Sequence, residues 1–259
     1  MTDRRATLGP RWLVRAKQRF RERISRHDSR PSRLDVEGLR AQLFAGGESY
    51  TYPREYFVGG KVSGYVDYAG VREIVETLAV MLNDLFHPIS VLDCGAAYGF
   101  VPDWFGARGV PACGVDISAF ACSKSVRMIQ ADIRDIPIRD MSFDLVVSSA
   151  CIEHVPPEDV ATALAEFARA SSHFICVLTP FEGDEDCYGD PTHLTIKPEA
   201  WWDAQWQAAL ATGRKATWSR RADIENALSD WCRPAEAVPF AQRMDWAHRF
   251  RVFERIRTP

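Results

Sequence analysis

The hydrophobic positions of the chain fall into two rhythms. Between residues 67 and 86 they recur every three or four places, at Val71, Ile74, Leu78, Met81, Leu82 and Leu85. That is the period of one helix face. From residue 89 short apolar runs take over: ISVLDCG (89–95), ACGVDIS (112–118), MIQADI (128–133), FDLVVSSAC (143–151) and HFICVLT (173–179). The stretches between and after them read as helices over 98–108, briefly after 118, over 157–170 and over roughly 198–211. Near-continuous apolar strands alternating with helices predict a parallel sheet covered on both faces. Right-handed crossovers make such a sheet doubly wound, with its ligand at the carboxyl ends of the strands. FRVFERI (250–256) reads as a last strand added to that sheet.

The N-terminal part has a different pattern. Residues 11–27 carry a thin apolar stripe (Leu13, Ala16, Phe20, Ile24) with arginines on the other faces. A connector rich in Gly, Pro, Ser and Tyr follows over 28–64. The expected organisation is a basic amphipathic arm over 1–35, a connector, lid and leading helix over 36–88, and one α/β domain over 89–259 with insertions over 180–246.

Composition narrows the class. At 46% hydrophobic and 26% charged residues the chain is globular. It shows neither a membrane-span-length apolar run nor a signal-peptide core, so a cytoplasmic protein is expected. Seven cysteines, an odd number with none at CxxC spacing, argue for free thiols rather than a disulfide framework or zinc ribbon. The net charge of −3 hides an asymmetry: residues 1–33 hold eleven Arg or Lys against three acids, and the remainder is acidic. The arm suits weak contact with an anionic surface, or with the protein's own acidic body. Nucleic acid is not expected, because no basic patch is interleaved with aromatics.

The first apolar run ends in VLDCGAAYGF (91–100). A dinucleotide fingerprint needs GxGxxG, whereas here Gly95 and Gly99 are separated by Ala96, Ala97 and Tyr98. Asp93 would also repel a pyrophosphate but not a cation. Asp116 closes the second run and Asp132 the third. Each acid taken singly also suits a helix N-cap.

Asp93-Cys-Gly95-Ala-Ala97-Tyr-Gly99 resembles the acid-x-Gly-x-Gly-x-Gly motif of class I S-adenosylmethionine (SAM)-dependent methyltransferases. FDLVVSSACIEHV (143–155) resembles that family's fourth-strand segment. The resemblance covers roughly residues 56–202. It implies a Rossmann-like, doubly wound, mostly parallel seven-stranded sheet with an N-terminal helical arm and lid. It also implies SAM as cofactor and S-adenosylhomocysteine as product. Gly95 and Gly99 would then shape the loop beside the methionine part, and Asp93 would face the cation. Asp116 would accept the ribose hydroxyls and Asp132 the adenine amino group, with Ile117 and Ile133 sandwiching the ring. Ser149 and the lid tyrosine Tyr65 join the cofactor side, with Tyr68 beside them. Ala97 departs from the motif's middle glycine. Alanine tolerates most turns of negative φ, so the loop is expected to survive.

A hydroxyl acceptor must lose a proton, which calls for a general base. Of six histidines, His154 and His193 fall just past the fourth and fifth strands, at the ligand edge. Glu153 adjoins the first, and 183–202 resembles a segment of small-molecule and sugar methyltransferases. These three are the candidate catalytic residues. The acids Glu182, Asp184, Glu185, Asp186 and Asp190 read as a solvated loop rather than a metal site. Ubiquinone-type enzymes have a further acid where this chain has Ala150, so no metal is assigned. Glu153 and Asp190 are the weak candidates should Mg²⁺ serve. Trp202 and Trp206 read as a packed helix face. The expected activity is O-methylation of a small hydroxylated acceptor, a sugar or glycoside being favoured. The alternatives are N- or C-methylation of a small metabolite, or a non-catalytic SAM-binding scaffold. A homodimer stays open.

Overall fold

The computed structural model describes residues 50–60, 62–63, 65–184, 190–212, 217–232 and 249–256. The basic arm, His27, Glu185, Asp186, Trp246 and His248 lie outside them.

The strands are β1 (Val91–Cys94), β2 (Ala112–Asp116), β3 (Met128–Gln130), β4 (Phe143–Ser149), β5 (Ser171–Leu178), β6 (Thr217–Arg220) and β7 (Phe250–Ile256). They form one sheet in the order β3-β2-β1-β4-β5-β7-β6. β1 through β5 pair in parallel, and β7 runs antiparallel to both β5 and β6. The order reverses between β1 and β4, which opens a crevice at their carboxyl ends. The helices are α1 (Arg54–Phe57), α2 (Arg72–Phe86), α3 (Phe100–Gly106), α4 (Ala119–Cys122), α5 (Val160–Ala170), α6 (Glu199–Thr212) and α7 (Ala222–Cys232).

The period-two alternation of the strands builds two cores. Leu92, Cys94, Val146, Ile175 and Val177 point to one face, where Val160, Leu164 and Phe167 of α5 and Trp202 and Trp206 of α6 cover them. Val91, Leu145, Val147, Phe174 and Cys176 point to the other, under Leu82 of α2, Phe105 of α3 and Leu228 of α7. Each fully buried aliphatic side chain here contributes about 1.5–3 kcal/mol. Trp206 stacks at a tilt on Phe253 of β7, ring centroids 4.6 Å apart. The α6 tryptophans therefore hold the last strand as well as the helix face expected of them.

Two of the histidines lie near the amino ends of strands. α2 stops where His87 takes a left-handed conformation and its amide bonds back to Asn83, directing the chain into β1. On β5, His173 lies between Asp144 and Glu254, 3.2 and 3.3 Å away, remote from the carboxyl ends. β6 and α7 were not foreseen from the sequence. β6 is a half-exposed edge of four residues, TWSR, with no apolar run to announce it.

Candidate active site

The loop after β1 is built on alternating left-handed residues: Gly95 (φ 80°), Ala97 (φ 47°) and Gly99 (φ 75°). The amides of Gly95 and Ala96 both donate to the Val115 carbonyl, at 2.7 and 3.1 Å. The Ala97 amide donates to Asp116 Oδ2 at 2.9 Å, and that of Ser118 to Asp116 Oδ1 at 2.8 Å. Ala97 thus keeps the loop, but the reason expected of it is corrected. It does not sit at negative φ. It sits in the region where an L-residue is strained by roughly 1–2 kcal/mol, and the Asp116 bond holds it there. Gly95 meets a second constraint, since a Cβ on it would overlap the Cys151 side chain.

Asp93 and Asp116 end adjacent strands and are both buried. Burial, and then the charge of Asp116, push the Asp93 carboxyl up to about 7. Burial pushes Asp116 up to about 6 against the pull of its two amide bonds. Two buried acids with no cationic side chain between them among the described residues fit a ligand that brings positive charge and hydroxyl donors. The sulfonium, ammonium and ribose of SAM supply both.

Asp132 follows β3 in a turn. Burial raises its pKa, but bonds from Arg134 outweigh that and hold the carboxyl below its usual value. Arg134 Nε lies 3.0 Å from both carboxylate oxygens, and the same guanidinium reaches Asp159. Ile133 is buried in the core and Ile117 half-buried at the end of β2. Ser149 ends β4, half-buried.

At the ends of β4 and β5 the structure brings together Glu153, His154 and His193. One donor atom from each lies within 4.8 Å of the others. The two imidazoles meet edge to face with centroids 4.7 Å apart. His154 Nδ1 lies 3.1 Å from the Thr192 carbonyl and 3.0 Å from the Thr192 hydroxyl. A carbonyl only accepts, so the network assigns the proton to Nδ1 and the lone pair to Nε2. Burial, then neighbouring His193, push the His154 pKa down to about 4. Glu153 is 1% exposed and pushed up to about 7, chiefly by burial. Its Oε2 accepts from Thr179 at 3.4 Å, while its buried Oε1 has no hydrogen-bond partner among the described residues. The backbone carbonyl of Glu153 accepts the amides of Leu194 and Thr195, which fastens the two histidine loops to each other.

Asp190 and Asp184 correct the expectation of a solvated acidic loop. Asp190 is buried; it accepts from Tyr56 Oη at 2.9 Å and from the amide and hydroxyl of Thr192 at 2.8 and 2.6 Å. Asp184 accepts the Phe181 amide and pairs with Arg249 at 2.8 Å. Glu182 is exposed, as expected of a solvated acid. The weak Mg²⁺ pairing of Glu153 with Asp190 is likewise revised. The group that could hold a metal replaces Asp190 with the two histidines.

Residues 50–68 cover both halves of the crevice with aromatic rings. Tyr52 and Tyr56 stand edge-on to His154, at 5.4 and 6.3 Å. The Tyr65 hydroxyl feels the charges of Asp190 and Glu153, whereas that of Tyr68 feels those of Asp93 and Asp116. The expected lid pair is therefore divided, Tyr65 toward the histidines and Tyr68 toward the strand-end acids. Tyr56, Thr192, Thr179 and Cys151 were missed from the sequence. Cys151 and Thr192 lie inside the stretches 143–155 and 183–202 that carry the resemblance, while nothing in the sequence sets Tyr56 or Thr179 apart.

Residues 92–172 match the family model described as "Methyltransferase domain". No curated protein matches the chain in sequence. Among solved structures, a SAM-dependent methyltransferase from Archaeoglobus fulgidus shares the fold with TM-score 0.50 at 16% identity, over 76% of this chain and 96% of that chain. The magnesium protoporphyrin IX methyltransferase of Synechocystis, solved with bound SAM, aligns with TM-score 0.45 at 14% identity, over 88% of this chain and 99% of that one. No helix among the described residues is long and apolar enough to cross a membrane. The strand-end acids Asp93 and Asp116 and the loop after β1 fall inside the stretch that matches the methyltransferase domain model, on a sheet of order β3-β2-β1-β4-β5-β7-β6.

Proposed function

We propose that the protein methylates a hydroxyl of a small acceptor, a sugar or glycoside by preference. The observation that carries this reading is the convergence of Glu153, His154 and His193 at the ends of β4 and β5, beside the cofactor loop. SAM supplies an electrophilic methyl group on sulfur and leaves as S-adenosylhomocysteine. Asp116 holds the ribose and Asp93 the cationic methionine part. Asp132 takes the adenine amino group on an oxygen lone pair that Arg134 leaves open, with Ile117 and Ile133 on either side of the ring. Ser149 and Gly99 complete the cofactor wall, and Gly95 keeps the backbone close.

An alcohol oxygen attacks well only as its proton departs. His193 takes that proton in our reading, with His154 held as its neutral neighbour by Thr192 and with Glu153 beneath it. Proton transfer to a positioned base contributes typically about 10²–10⁴-fold. Tyr52, Tyr56 and Tyr65 present aromatic rings and hydroxyls to the same space, a combination that suits the faces and hydroxyls of a sugar.

The test is methyl transfer from SAM to a panel of hydroxylated and amine acceptors, by wild type and by His193→Ala and His154→Ala. We expect a hydroxyl acceptor to be methylated and turnover to fall at least 100-fold in His193→Ala, with S-adenosylhomocysteine affinity unchanged. Undiminished turnover in both variants, or methylation of amines alone, would refute the assignment.

A further inference from the structure

We propose that Glu153, His154 and His193 form a binding site for one divalent transition-metal ion, zinc being the best fit. Two imidazoles and one carboxylate on a single small volume are a ligand set for a transition metal rather than for Mg²⁺, which selects oxygen and near-octahedral geometry. Three protein ligands also leave coordination positions open, as in zinc sites that bind a substrate or water.

Three independent features favour the site. Glu153, one of the three residues, has a buried Oε1 atom that finds no hydrogen-bond partner among the described residues. Leaving such an atom unpaired is costly, and a metal bond would remove that cost. His154 shows the outer support usual for a metal-bound imidazole, its Nδ1–H donating to the Thr192 carbonyl so that Nε2 presents its lone pair. Thr192 is itself fixed by Asp190, and Tyr56 fixes Asp190 from the lid. On the other side Thr179 orients the second oxygen of Glu153. Tetrahedral bonds of about 2.0–2.1 Å place ligand atoms roughly 3.3 Å apart. The 4.8 Å spread must therefore close by at most about 1.5 Å, a shift within reach of one side-chain rotation of half-buried His193.

The site uses the atoms assigned above to proton removal, so it extends that reading and is tested apart from it. A bound ion would hold the acceptor oxygen directly and make its proton more acidic, so that the proton passes to solvent instead of to the His193 imidazole.

The experiment titrates the EDTA-stripped, dialysed full chain with zinc alone against a chromophoric chelator, and with cobalt for its visible spectrum. One tight equivalent and a four- or five-coordinate cobalt spectrum are expected from wild type. His193→Ala and Glu153→Gln should each lose at least tenfold in affinity, and His173→Ala, in the remote His–acid cluster, should lose nothing. Thermal melting and S-adenosylhomocysteine binding check that each variant is folded. Absence of a stoichiometric ion, or an affinity unchanged in both site variants, would overturn the proposal. Activity separates the two readings. Turnover that survives EDTA and is lost on adding zinc supports the site and keeps His193 as base. Turnover abolished by EDTA and restored by zinc supports the site, with the ion acidifying the acceptor hydroxyl and the proton leaving to solvent rather than to His193.

Discussion

The two halves of the crevice are held in different ways. On the cofactor side the strand-end acids bond to backbone amides no more than 19 residues away: Asp116 to Ala97 and Ser118, and Asp132 to Arg134. On the acceptor side they run between side chains and loops far apart in the chain: Tyr56 to Asp190, His154 to Thr192 and Thr179 to Glu153. The first half inherits its geometry from turns that the sheet positions. The second exists only once the lid, the β4 loop and the segment after residue 190 have all docked. A local site tolerates side-chain changes as long as the backbone turns survive, whereas an assembled one is sensitive to each of its partners.

Substitutions separate the two. Gly95→Ala should have the largest effect, because it adds a Cβ against Cys151 and strains a residue at φ 80°. A loss of about 3 kcal/mol or more is expected from overpacking and left-handed strain together, read from urea midpoints, with S-adenosylhomocysteine binding lost in parallel. If Gly95→Ala melts like wild type, the cofactor half is not governed by its backbone.

Asp93→Asn tests burial against function. The folded carboxyl titrates near 7, against 3.8 as the ordinary value. A raised folded pKa means that the contribution of the protonated form is complete below about pH 4 and is lost as pH rises through 7. The ligand-free wild type should therefore be less stable at pH 8 than at pH 5. Asp93→Asn should flatten that slope, gaining on the order of a few kcal/mol at pH 8, while binding S-adenosylhomocysteine at least tenfold more weakly. A variant that gains stability without losing affinity would remove Asp93 from the cofactor site.

Tyr56→Phe probes the assembled half. It deletes the donor to a buried carboxylate, at a cost of about 1–3 kcal/mol. The acceptor KM should rise several-fold while the S-adenosylhomocysteine Kd stays put. Parallel changes in both constants would mean that the two halves do not behave as separate units. The smallest effect belongs to Ala97→Gly, which should stabilise by about 1 kcal/mol through release of left-handed strain and leave cofactor affinity within a few-fold.

This contrast also explains what could be read from the sequence. The parallel strands, the last strand and the acids at the ends of β1 to β3 were legible, because apolar runs and strand-end carboxylates are local features. His154 and His193 were legible singly, each just past a strand. Their meeting follows from the pairing of β4 with β5, which sequence pattern alone does not contain. Tyr56 gave no sign, because its partner lies 134 residues away. The sign of φ at Ala97 was hidden for a similar reason, since the bond that enforces it comes from the next strand. β6 escaped because an edge strand of four residues, half-exposed, carries no apolar signature.

The lid segment is pinned at two places. The Tyr52 carbonyl accepts the Ser118 hydroxyl on the cofactor side, and the Tyr56 hydroxyl donates to Asp190 on the other. Three residues separate these anchors, too few for one to lift while the other stays. The two halves of the crevice therefore share one short cover, fastened at both of its ends.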